Sequence, residues 1–131
     1  MSDYEQGTIY DALGGVPLSI GERWAHFHVR NPRVYEALCG RARTWIGRFG
    51  RRTVGIDTMF SGVRWEIALA TSDPHFKINN SYSPWYSRWI MQNETDLDGL
   101  FELRRSEADN ADLGALVRHA ETLLRMAEAA T

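Results

Sequence analysis

Residues 76–91 read FKINNSYSPWYSRWIM, and the reading of this stretch decides the fold. Phe76 and Ile78 flank Lys77 with the alternation of a short strand. Asn79, Asn80, Ser81 and Ser83 follow as a polar cluster. Ser83-Pro84 then starts a helix, with proline in the first turn, where its missing N–H costs nothing. Tyr86, Trp89 and Ile90, with Trp85 beside them, recur at helical spacing, so the helix is expected to run to about residue 94. A short strand feeding a capped helix is the local grammar of a small winged or helix-turn-helix domain.

Upstream, Asp57 is expected to cap a helix over residues 58–70. Met59, Phe60, Val63, Trp65, Ile67 and Leu69 cover most of its circumference, which predicts burial on several sides. Ser72-Asp73-Pro74 is a turn. Farther back, Asn31-Pro32 predicts an N-cap and first position for a helix over residues 32–49, with Val34, Tyr35, Leu38, Ala42, Trp45, Ile46 and Phe49 at helical spacing. Arg41, Arg48 and Arg52 share its opposite face, and Gly50 ends it. Ser19-x-x-Glu22 is a capping box opening a short helix over residues 20–30, with Trp24, Phe27 and His28 on one side. Residues 1–18, interrupted by Gly14-Gly15 and Pro17, read as an N-terminal arm frayed at its start.

Downstream, Thr95-Asp96 breaks the helix, and residues 97–105 are expected to form a fifth short one. Residues 106–110 read as a polar linker. Asn110 is expected to cap a last helix over residues 111–129, with Leu113, Leu116, Val117, Ala120, Leu123, Leu124 and Ala127 as its stripe and Glu121–Arg125 as an i, i+4 pair. The expected fold is mainly α. A single helical domain spans residues 19–131, with a helix-turn-helix- or winged-helix-like centre at 57–105 and one short strand. Trp45, Phe60, Trp65, Tyr86 and Trp89 are the expected core.

Composition supports a packed core: 44% of the 131 residues are hydrophobic, with five Trp, five Tyr and five Phe. No run of 18 apolar residues spans a membrane. The start of the chain is acidic and has no apolar signal-peptide region. With the single Cys39, this points to a reducing cytoplasm. The net charge of −2 is unevenly spread. Residues 23–52 carry eight Arg against Glu36 alone, whereas residues 93–131 carry nine acids against four Arg. Such an Arg block meets phosphate, meets another acidic surface, or pairs with the acidic tail of its own chain.

The motifs of catalysis are missing. His26 and His28 stand two apart on a helix and point to nearly opposite sides, so they cannot chelate one ion together. Neither Cys39 nor His75 completes a metal-ligand spacing, and no metal or cofactor is expected. Asp57, Glu66 and Lys77 resemble a nuclease series only loosely. Asp57 is better read as a cap and Glu66 as a solvated residue. No nucleophile elbow or phosphate loop is present, and the chain is not expected to be an enzyme.

On a helix-turn-helix mapping, residues 84–94 are the second helix and 97–105 the recognition helix. Arg104 and Arg105 would then reach duplex DNA, with Lys77 and Arg88 near phosphates. Arg41, Arg48, Arg51 and Arg52 would add a basic face. Asp98 and Glu102 on the recognition helix oppose this reading, because phosphate repels them. The competing reading is a protein-interaction module in which the Arg face meets an acidic partner. There the last helix serves docking or self-association.

Four segments carry a resemblance: FHVRNPRVYEALCGRAR (27–43), RWEIALATSD (64–73), FKINNSYSPWYSRWIM and LDGLFELRRSE (97–107). In them the chain resembles a family of small, largely uncharacterised bacteriophage and prophage proteins. Asn-Pro-x-Val-Tyr and Phe-Lys-Ile-Asn-Asn are its most specific pieces. The resemblance implies a phage accessory protein in the cytoplasm of a bacterial host, with a host or phage protein as its partner on the interaction reading, and names no mechanism. The arm and the final helix lie outside the shared part.

Overall fold

Helices begin where the local sequence satisfies free amides. The computed structural model describes residues 18–71 and 76–130. The first helix, α1 (Ile20–Arg30), opens on the expected capping box: Ser19 N–H donates to Glu22 Oε1 at 3.0 Å, and Glu22 N–H to Ser19 Oγ at 3.2 Å. Asn31 does not cap the next helix through its side chain. Its Nδ2 donates back to the Phe27 carbonyl at 2.9 Å and closes α1 instead. Pro32 opens α2 (Pro32–Phe49), which buries Val34, Leu38 and Ala42, one turn apart, together with Cys39. Gly50 ends α2 at φ 70°, a conformation open to glycine.

α3 (Ile56–Ala70) begins two residues earlier than expected, after Gly55. Asp57 therefore lies inside its first turn and accepts from Ser83 Oγ at 3.0 Å. Ile56, Met59, Phe60, Val63 and Ile67 form a single buried stripe. The expectation of burial on several sides fails: Trp65 is 68% exposed and Leu69 71% exposed. α3 is apolar around its circumference, but only one of its faces finds partners.

The alternation of Phe76, Lys77 and Ile78 gives no strand. Ile78 is buried and Lys77 exposed on irregular chain, so the pattern records an anchor rather than a ladder. A 3₁₀ turn (Asn80–Tyr82), held by Asn79 Oδ1 accepting from Ser81 N–H at 2.9 Å, leads into α4 (Ser83–Asn93). The helix expected over 97–105 is likewise absent. A 3₁₀ turn (Thr95–Leu97) is followed by Gly99 at φ 78°, and the chain then runs extended. Val54 N–H donates to the Leu100 carbonyl at 3.1 Å, and Glu102 N–H to the Val54 carbonyl at 3.0 Å. This makes a parallel bridge between Val54 and Phe101, the one piece of β-pairing among the described residues. There is accordingly no recognition helix after α4, and the helix-turn-helix mapping loses its second half.

The polar linker is a capped 3₁₀ turn (Glu107–Asn110), with Ser106 N–H donating to Asp109 Oδ2 at 2.9 Å. Asp112, not Asn110, caps α5 (Leu113–Ala129), accepting from Ala115 N–H at 3.0 Å. α5 lies along α1 and buries Leu113, Val117 and Ala120. In its C-terminal half Arg125 donates to Thr122 Oγ1 at 3.3 Å.

Buried side chains form one contiguous cluster. At its centre Trp24 stacks on His28 and Trp85, with ring centroids 5.7 and 6.0 Å away, and meets Tyr86 and Trp89 edge-on. Phe60 and Tyr86 are fully buried as expected, whereas Trp45 and Trp89 are half-buried against the core. The arm, apart from buried Leu18, lies outside the described residues.

Candidate interaction surface

The chain's basic residues divide into those bound by their own fold and those left facing outward. Arg43, which the sequence reading did not single out, is the most heavily engaged. It donates to Asp96 Oδ2 at 2.8 Å, Asp96 Oδ1 at 3.0 Å and Glu94 Oε1 at 2.6 Å, and Tyr35 OH donates to Glu94 Oε2 at 2.7 Å. The Arg43 guanidinium holds the Glu94 and Asp96 carboxyls below their usual range. Arg51 donates to the main-chain carbonyls of Asp96 and Asp98. Arg88 is nearly buried. It donates to Asp109 Oδ1 at 2.8 Å, the Pro84 carbonyl at 2.8 Å and the Arg104 carbonyl at 2.7 Å. The Asp109 carboxyl is held low first by the Ser106 N–H and then by Arg88. Arg51 and Arg88 are therefore clamps that fasten the acidic segment after α4 to the helices.

Arg48, Arg52, Lys77, Arg104 and Arg105 are exposed and have no hydrogen-bond or ion-pair partner for their side chains among the described residues. Arg52 precedes the parallel Val54–Phe101 bridge and Arg104 follows it. Lys77 lies on the segment before α4.

Between α2 and α3 runs an open groove of about 710 Å³, lined by Arg41, Thr44, Trp45, Arg48, Phe49 and Met59 with Glu66 opposite. Trp45 and Phe49 pack at 4.5 Å between ring centroids, and Trp45 Nε1 donates to the Arg52 carbonyl at 2.7 Å, fixing the ring. Arg41 lies flat over Gly62, where a Cβ would come within 2.4 Å of Nη1. Its link to Glu66 is a loose 3.5 Å, and its buried Nε has no acceptor. At 100° per residue, Leu69 falls on the same line of α3 as Gly62 and Glu66, with Trp65 on its flank. Trp65 and Leu69 do not themselves line the groove; they stand exposed on the same helix as Met59 and Glu66, which do. The sequence carried a signal for this: Trp65 and Leu69 are out of phase with the stripe Ile56, Phe60, Val63 and Ile67.

Burial shifts each of the nucleophile and base candidates from its ordinary range. Burial, and then Glu94, pushes the Cys39 thiol up to about 11, and the same two causes raise Tyr35 well above its ordinary range. Burial lowers His28 to about 4, and its Nε2 accepts from Trp89 Nε1 at 3.1 Å, which leaves the ring neutral. His26 is also lowered to about 4, by burial first and then by His119 and Arg30. Among the described residues no three His, Cys, Asp or Glu side chains gather as metal ligands. No described helix is long and apolar enough to cross a membrane. No family model, curated protein or solved structure matches the chain.

Proposed function

We propose that this protein is a helical protein-interaction module that docks a partner in the α2–α3 groove. The observation that carries this reading is the exposure of Trp65 and Leu69, one turn apart, beside a groove walled by Trp45 and Phe49. Large apolar side chains left outside a core that has room for other aromatics mark an interaction site. The resemblance to phage and prophage proteins suggests the setting, an accessory protein acting on a host or phage factor.

Capture of partners from a nuclease-treated bacterial extract tests it, using the full chain and a Trp65→Glu/Leu69→Glu variant. Both substitutions lie on the surface, so the variant should fold. A protein held by the parent and lost by the variant is the expected result. The alternative is binding of duplex DNA through Arg48, Arg52, Arg104 and Arg105. It takes over if retention disappears with nuclease and if affinity for duplex DNA falls steeply with salt in proportion to the phosphates contacted.

A further inference from the structure

We propose that the occupant of the α2–α3 groove is an acidic amphipathic helix of the partner, lying along the groove with carboxylates against Arg41 and Arg48. The proposal rests on the interaction reading and adds the chemistry of the partner. Three features of the groove carry it.

The first is charge. Arg41 and Arg48 stand on its α2 wall, and its single acid, Glu66, meets Arg41 only at 3.5 Å. Arg41 Nε is buried without an acceptor, and Arg48 has no partner among the described residues. Arg48 and the accessible part of the Arg41 guanidinium can each take a carboxylate through charge-assisted hydrogen bonds.

The second is the smoothness of the α2 wall. Gly21 and Gly62 are explained by internal packing, since a Cβ would come within 2.8 Å of Trp85 at the first and 2.4 Å of Arg41 at the second. Gly40 and Gly47 are not, because a Cβ at either would meet nothing within 4 Å. A glycine inside a helix is less favourable than alanine, so Gly40 on the groove's lining and Gly47 two turns on beside it need an external reason. Ala37 and Thr44 complete the same strip, and a docked backbone would approach closely along it.

The third is length and spacing. From Ala37 to Phe49 the groove follows α2 for about 18 Å, the length of a twelve-residue helix. Arg41 and Arg48 are two turns apart, about 10 Å along the axis, which matches carboxylates at i and i+7 of the docked helix. Its apolar side chains would fill the space between Trp45 and Phe49 on one side and Met59, Trp65 and Leu69 on the other.

The test titrates the isotopically labelled full chain with a synthetic fourteen-residue helix bearing leucines on one face and glutamates at i and i+7, and with a copy carrying lysines there. The glutamate peptide is expected to shift the Gly40, Thr44 and Gly47 amides and the Trp65 indole, and to bind at least tenfold more tightly than its lysine copy. Arg41→Glu/Arg48→Glu should invert that preference. Gly47→Leu should block binding while the melting temperature rises, since leucine favours the helix more than glycine does.

Equal affinity for the two peptides, no shift with either, or shifts confined to Arg104 and Arg105 would overturn the proposal. So would two other occupants. Shifts of the same amides on concentrating the protein alone would place a second copy in the groove. A rise in peptide affinity on Asp3→Lys/Glu5→Lys/Asp11→Lys would place the chain's own arm there. If the extract experiment retains a partner through Trp65 and Leu69 while the peptides fail, only the acidic helix is lost and the interaction reading stands.

Discussion

Trp24 and Trp65 both sit in the middle of apolar helices, and the fold treats them in opposite ways. Trp24 is wholly enclosed, with aromatic rings from α1 and α4 on several sides. Trp65 stands 68% exposed on a helix that has already spent one face on the core. One side of the molecule is closed by the long α1–α5 contact and the aromatic nest beneath it. The other side, at α2 and α3, leaves an open groove between the two helices. A helix's apolar content therefore says how much surface it could bury and not how much its neighbours let it bury.

The contrast is easiest to break by truncation. Trp24→Ala is expected to cost about 3–5 kcal/mol, because the surrounding rings cannot collapse into the space. Urea denaturation of the variant measures it, and a parent-like midpoint would mean that the nest is not the centre of the core.

Acid should strike the closed side first. His28 titrates near 4 in the fold against 6.5 when unfolded, so between these values the unfolded chain takes up a proton that the fold refuses. Stability is thus full above pH 6.5 and is lost as pH falls toward 4, by at most about 3 kcal/mol for this residue. His26 is lowered in the same way and adds a loss of the same sign. His28→Phe should be less stable at pH 7, having lost the acceptor for Trp89 Nε1, yet show a flatter profile between pH 6.5 and 4.5. A variant profile parallel to that of the parent would place the acid sensitivity elsewhere.

A smaller effect is expected at the edge of the closed side. Ser19→Ala removes half of the capping box at the start of α1 and should cost about 1 kcal/mol by thermal or urea melting. The smallest belongs to the open side. Trp65→Ala should leave stability within about 0.5 kcal/mol of the parent, since the ring is mostly in water already. A loss of several kcal/mol there would show that the groove is closed in solution and would remove the surface on which the functional reading stands.

The sequence by itself determined the features that depend on neighbours in the chain. The Ser19–Glu22 capping box, the Pro32 and Pro84 helix starts, the Gly50 stop and the stripes of α1, α2 and α5 were legible, because each is settled within a turn or two, although Phe49 and Ala127 at the far ends of their stripes are exposed. The mainly helical fold follows from them. What only the tertiary structure decided depends on partners far away in sequence. Residues 97–105 have a passable helical pattern, but Val54 claims their main-chain groups and Gly99 turns the chain, so they run extended. Asn31 and Asp57 had the chemistry of caps and found other partners, the Phe27 carbonyl and the Ser83 hydroxyl. The Arg block looked like one basic face. The acidic segment folds back on it, and Arg43 and Arg51, together with Arg88 of α4, are taken up as internal clamps while Arg41 and Arg48 are left at the groove. Charge counts along a chain cannot foresee this division, because an ion pair is made by distance in space.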